Sequence, residues 1–223
     1  MSAERLPHIP YTAYQPDGSA EDGVSAFCER MSSRRSVRAF SDRPVSRETI
    51  EWIVRTASSG PTGANKQPYR FVCVNDPVVK SKIRAAAEEE EREFYERRAS
   101  QRWLDDLAPL GTDANKPFLE VAPWLIAVFA LAKDDDGGQV YYREESVGIA
   151  VGLAIAAIHH AGLVTLTHTP SPMKFLCEVL ERPAHERPFV LLPVGYPAED
   201  ATVPVLTKKP LDQVMVVREP SVE

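Results

Sequence analysis

Arg34-Arg35-Ser36-Val37-Arg38 gathers three guanidiniums and a hydroxyl within five residues. Such a set suits a dianionic phosphate, because arginine offers forked N–H donors and keeps its charge. A solvated basic turn has the same composition, since exposed arginine is common. Neither a GxGxxG nor a Walker loop is present to form a backbone phosphate cradle. In Pro61-Thr62-Gly63-Ala64-Asn65 a glycine among small residues lets the backbone approach a flat ligand, although a plain helix-to-strand loop reads the same way. Glu91 and Tyr95 are four residues apart and so share one helix face, where they can address one ligand together. The acidic run Glu88–Glu91 is equally a solvated face, and Lys116 downstream passes for a surface lysine. Leu163–Pro170 carries Thr167, His168 and Thr169, whose threonines β-propensity alone would explain. His168 and the other histidines (8, 159, 160 and 185) lack metal-ligand spacing, so no metal is expected.

The elements that must position these groups fit one domain over residues 1–223. The chain is long enough for one substantial core but not for two. With 43% hydrophobic residues it is too apolar to be disordered. A net charge of −6 argues against nucleic acid or an anionic membrane as partner. Cys28, Cys73 and Cys177 are odd in number and far apart, which points to a reducing, cytoplasmic setting. The first 20 residues hold no apolar h-region and read as an extended arm. Ser146–Met173 contains no Asp, Glu, Lys or Arg, but its strongly apolar part, Val147–Ile158, is too short for a bilayer span. It is expected to be a core helix apolar on every side.

Helices are expected over 21–33, from the N-cap Ser46 to just before Gly60, from Asp76-Pro77 onward with Val79, Ile83, Ala86 and Phe94 as its apolar stripe, and over about 142–161. A further helix should open at Ser171-Pro172. Strands are expected at 69–75, from Pro123 through an apolar run, at 163–167 and at 188–194, with a further one at Val214–Val217. Residues 97–120 look irregular, broken by Pro109, Gly111 and Pro117. Strands interleaved with helices make an α/β or α+β sandwich.

Taken in order, RRSVR, PTGANKQPY, EEEEREFYERR with its following RW, LVTLTHTP and RPAHERPFVLLPVGYPAEDATVPVLTKKPLDQ closely resemble the iodotyrosine deiodinase branch of the nitroreductase-like flavoprotein superfamily. The resemblance runs over roughly residues 30 to 217, and Glu91, Tyr95 and Lys116 are its branch-specific part. It implies a homodimeric nitroreductase-like fold with extended terminal arms, the C-terminal one over 201–223. FMN would be held by Arg34, Arg35, Ser36, Val37 and Arg38 at its phosphate and ribityl end. Thr62 and Gly63 would lie against it, and Thr167, His168 and Thr169 would surround the isoalloxazine, with the Thr169 hydroxyl at flavin N5. The family has an arginine where this chain has Lys208; lysine keeps the charge and loses the planar fork. Its animal members carry an N-terminal membrane anchor, and this chain looks like a soluble, bacterial version without one.

The activity so implied is reductive dehalogenation of halotyrosines. Glu91 would accept from the substrate ammonium, Lys116 would pair with its carboxylate, Tyr95 would add a hydrogen bond, and the Ala64 N–H would meet the phenolate. Residues 88–118 would form a lid, and electrons would come from a reductase or NAD(P)H. Two alternatives share the composition: a generic FMN-dependent nitroreductase or quinone reductase, which has no use for a zwitterion clamp, and a flavin-binding protein without turnover.

Overall fold

A computed structural model describes residues 6–220 of the chain; the first five residues of the expected N-terminal arm and the last three of the C-terminal extension lie outside that range. The chain divides into two compact units, Met1–Arg34 and Arg35–Glu223. In the first, residues 6–19 have no helix or strand and lead into α1 (Ala20–Ser32). Ser19 starts this helix with a reciprocal cap: its hydroxyl accepts from the Asp22 N–H at 3.1 Å, and the Asp22 carboxylate accepts from the Ser19 N–H at 2.9 Å.

The second unit is built on a four-stranded sheet, in which β1 (Tyr69–Val74), β2 (Trp124–Leu131), β3 (Val164–Thr165) and β4 (Glu186–Gly195) lie in the order β1-β2-β4-β3. All three strand pairings are antiparallel. Every residue of β2 is buried, which explains its unbroken apolar run. Successive side chains alternate between faces. Ile126, Val128 and Ala130 meet α2 (Arg47–Ser58) and α6 (Arg143–His160) through Ile50, Ile53, Val147 and Val151. Leu125, Ala127 and Phe129 join Ile83 and Ala87 of α3 (Pro77–Glu93), Leu119 of α5 (Phe118–Val121) and Leu176 of α7 (Phe175–Val179) in a second core on the opposite face. Helices therefore cover both faces of a mixed α+β sandwich.

Four details differ from expectation. The helix expected in the core and apolar on every side is apolar all round but is buried within this chain along one face only: Gly148, Ile149 and Gly152 of α6 are exposed, because sheet and α2 cover only the other side. Residues 97–120 are more regular than their proline and glycine content suggests. They contain α4 (Gln101–Leu107), started by Ser100, whose hydroxyl accepts from the Trp103 N–H at 3.3 Å. The helix expected at Ser171-Pro172 begins at Phe175, since Pro170 and Pro172 lack N–H donors and hold their predecessors out of the helical region. Val214–Val217 form no strand; the sheet ends at β1 and β3, and a strand without a ladder partner does not persist. Among the described residues no helix is long and apolar enough to cross a membrane.

Gly195 closes β4 where the chain passes Pro123. A Cβ there would stand 2.5 Å from Pro123 Cδ and 3.3 Å from Phe40 Cδ1. Gly195→Ala should therefore destabilise the protein by about 1–3 kcal/mol, the usual cost of overpacking. Chemical denaturation measures this, and an unchanged midpoint would show that the Pro123 turn yields freely.

Candidate active site

Where α3 runs out, the backbone widens into a π-turn over Phe94–Arg98, closed by the Ala99 N–H to the Phe94 carbonyl at 2.8 Å. Such turns reorient side chains and recur at functional sites. Here the turn brings Tyr95 to the rim of a cavity of about 370 Å³. Glu91 and Tyr95 line it from this helix and its π-turn, Lys116 from the segment before α5, and Thr167, His168 and Thr169 from the extended segment after β3, with Arg38 also in the wall. Residues widely separated in sequence and singled out there thus meet in one place. Trp103 and Leu107 of α4, Thr112 and Phe118 complete this wall; the sequence places them only within the expected lid, 88–118, without individual roles. Of the four, only Trp103, in the RW that follows EEEEREFYERR, belongs to a motif of the resemblance.

The charged pair in this wall is largely buried. Lys116 Nζ lies 3.5 Å from Glu91 Oε2, with the two side chains only 7% and 12% exposed. Burial pushes the Glu91 carboxyl up and the Lys116 ammonium down, and the attraction between the two groups opposes both shifts. The Lys116 ammonium also donates to the Asp113 carbonyl and stands 5.8 Å from the centre of the Tyr95 ring. The Tyr95 hydroxyl bonds Thr112 Oγ1 at 2.8 Å.

Along 167–169 the chain alternates: Thr167 and Thr169 are exposed, and His168 between them is buried. Mutual N–H to carbonyl bonds with Leu191, at 2.9 and 3.0 Å, hold this register. The His168 ring packs edge-on against Phe118. Burial, then the positive charges of Lys116 and Arg38, depress its pKa to about 3. The ring is therefore neutral, and its Nδ1, 3.9 Å from Glu91 Oε1, makes no ion pair. Its Nε2 is buried without a hydrogen-bond partner.

The residues expected to bind phosphate divide by role. The Val37 side chain is buried and its N–H donates to the Thr165 carbonyl at 3.2 Å, so Val37 anchors the segment to β3 and offers a ligand no side chain. Ser36 and Arg38 line a surface groove of about 610 Å³ with Gly111 and Pro204, and Arg38 also lines the cavity. Arg35 donates to the Pro204 carbonyl. Arg34 closes the first unit. A groove with guanidinium and hydroxyl donors, joined through Arg38 to a cavity with threonine hydroxyls, fits a flat cofactor with a phosphate tail such as FMN. Other expected contacts are not assembled within this chain. Thr62, Gly63 and Ala64 line neither cavity nor groove; Gly63 packs on Tyr141, whose carbonyl a Cβ would approach to 2.6 Å. Ala64 has φ 50° and is exposed. Lys208 is exposed and lines neither. Among the described residues no His, Cys, Asp and Glu group is placed to hold a metal ion.

Residues 31–196 match the model of the nitroreductase family, and the chain belongs to that family. Within it the chain stands with the iodotyrosine deiodinases. An iodotyrosine deiodinase of Haliscomenobacter hydrossis is 56% identical over 94% of this chain and 96% of its own length. Iodotyrosine deiodinase 1 of Homo sapiens is 44% identical over 96% of this chain and 76% of its own. A crystal structure of oxidised iodotyrosine deiodinase bound to FMN and 3-iodo-L-tyrosine superposes with a TM-score of 0.73 at 30% identity, covering 88% of this chain and 100% of that one. A BluB-like flavoprotein from Clostridium difficile, with a TM-score of 0.67 at 20% identity, shares the fold.

His168 gives a pH signature. Its folded pKa of about 3 lies below the unfolded value, so the unfolded chain binds the proton first. The neutral ring's contribution is complete above about pH 6.5 and is lost as pH falls from there toward 3. Replacing His168 by Asn should flatten the fall in stability over that window, measured by denaturant melts at stepped pH. An unaltered slope would place the acid sensitivity elsewhere.

Proposed function

We propose that the protein removes halide reductively from halotyrosines, giving tyrosine and halide, with FMN as cofactor. The observation that carries the reading is the buried Glu91–Lys116 pair in a cavity that Phe94, Tyr95, Trp103 and Phe118 also line. A free amino acid brings an ammonium and a carboxylate. With Glu91 accepting from the first and Lys116 donating to the second, four charges alternate, and the long 3.5 Å contact is exchanged for two charge-assisted bonds. A nitroaromatic or quinone offers neither group and would leave a buried ion pair unsolvated.

FMN, when bound, supplies the two electrons that, with one proton, convert carbon–halogen to carbon–hydrogen and release halide. The protein's own groups do the rest. Ser36, Arg35 and Arg38 would hold the phosphate and ribityl end. Thr167 and Thr169 turn their side chains to the open face, and the Thr169 hydroxyl can donate or accept at the ring as its proton state requires. Phe94, Trp103, Leu107 and Phe118 exclude water around the substrate ring, and residues 88–118 would act as its lid.

A homodimer completes the site. Gly63 donates to Ser146 Oγ at 3.4 Å, and a Cβ on Gly60 would touch Ile149, so the Thr62–Ala64 loop adjoins the exposed face of α6. A second copy packed on that face would bring its own Thr62, Gly63 and Ala64 to the neighbouring cavity, with the Ala64 N–H at the phenolate. Lys208 would reach FMN by the same route. The reductant is an electron-donating reductase or NAD(P)H, and the unpaired cysteines suit the cytoplasm.

Glu91→Gln or Lys116→Ala should weaken 3-iodotyrosine binding by about one to two powers of ten, the loss of one charged hydrogen bond, with FMN content unchanged. Quenching of bound-FMN fluorescence by ligand measures both. Unaltered affinity would make the pair a structural feature only. Thr169→Ala should keep FMN and slow dehalogenation more than nitro reduction; an equal effect on both rates would remove Thr169 from the specific chemistry.

A further inference from the structure

Behind the clamp, α3 presents Lys80, Arg84, Glu88 and Glu91 along one side, at spacings of four, four and three residues. Each ties down the segment that carries Lys116. Lys80 Nζ donates to the carbonyls of Glu120 and Ala122, both at 2.8 Å, which fastens the end of α5. Arg84 donates to Glu88 Oε1 at 2.7 Å, to Glu120 Oε2 at 2.6 Å and to Asn115 Oδ1 at 3.1 Å. The same Glu88 oxygen accepts from the backbone N–H of Lys116 at 2.8 Å. Neither Arg84 nor Glu88 lines the cavity.

One helix therefore holds Lys116 at two points, its main chain through Glu88 and its ammonium through Glu91. The residues doing so are a single helical turn apart. Arg84 fixes Glu88 in turn and pins the residues on either side of Lys116. The gap between the Glu91 carboxylate and the Lys116 ammonium is thereby set by rigid helix geometry rather than by a free lysine rotamer. Such pre-organisation matters most where a ligand must meet two charges at once.

Building on the clamp reading, we propose that Arg84 and Glu88 are positioning residues that fix the ammonium–carboxylate spacing of the clamp. They thereby make the site selective for α-amino acids over arylalkyl amines that lack the carboxylate. Without the brace, Lys116 still carries its charge but samples more positions. The loss falls on ligands that use Lys116 and spares those that use only Glu91 and the aromatic wall.

The test compares 3-iodotyrosine with 3-iodotyramine, which differs by the missing carboxylate, each titrated against the FMN-loaded protein by flavin fluorescence. Glu88→Ala should weaken 3-iodotyrosine by about tenfold and 3-iodotyramine by no more than about twofold, on the scale of one misplaced charged contact. Glu88→Gln should recover most of the difference, because its amide oxygen can still accept from the Lys116 N–H. Equal losses for both ligands, or none for either, overturn the inference while leaving the functional reading intact. Wild-type protein that binds neither ligand overturns both. Should Glu88→Ala not hold FMN, Arg84→Gln carries the test with the same expectation. Loss of FMN from both variants also overturns the inference, since the brace would then serve the fold.

Discussion

The Glu91–Lys116 contact is the constraint around which this side of the molecule is arranged. Two opposite charges sit almost out of water at 3.5 Å, too far for a strong bond. Burial works against the ionised form of each. Buried pairs of this kind contribute little to stability unless further hydrogen bonds complete them. Here the Asp113 carbonyl completes only part of the lysine's needs. Retaining the pair makes sense where a ligand of matching charge supplies the rest, and the aromatic lining gives that ligand a ring.

Everything that delivers the pair is built from longer-range structure. The long helix α3 rests on the sheet through Ile83 and Ala87, and its polar side faces the Lys116 segment. Leu119 and Phe118, buried in the same core, fix the other side of that segment. Facing it, the run from Thr167 to Thr169 uses strand alternation to serve two partners. His168 points into the protein beneath the clamp, while the flanking threonines stay on the open side. One strand register thus links the clamp to the surface offered to the cofactor, and a shift of a single residue would exchange the two.

What can be read in the sequence follows from how local each cause is. Ser46, Asp76 and Ser19 cap helices through contacts with residues two or three positions on, so α2, α3 and α1 are legible. The apolar run of β2 marks its burial on both faces. The clamp residues can be named through the family resemblance, and spacing puts Glu91 and Tyr95 on one face, but their meeting with Lys116 has no local cause. Glu91, Tyr95 and Lys116 look like surface residues until the π-turn and α5 bring them together. Val37 reads with its basic neighbours, and only the Thr165 bond shows that it is an anchor. Thr62, Gly63 and Ala64 form a loop whose local geometry is complete within the chain, so their distance from the cavity has no local signal. The exposed side of α6 is hidden for a related reason, because apolar composition does not distinguish a face covered by the same chain from one left for another.

The most direct measurement of the central claim is single-turnover reoxidation of the chemically reduced FMN-loaded protein under anaerobic conditions, with 3-iodotyrosine and a nitroaromatic compared at equal concentration. We expect 3-iodotyrosine to reoxidise the flavin rapidly and to yield one tyrosine and one iodide for each flavin oxidised. Slow or absent reoxidation by 3-iodotyrosine alongside rapid reoxidation by the nitroaromatic would contradict the assignment and leave a reductase in which the buried pair has no substrate role.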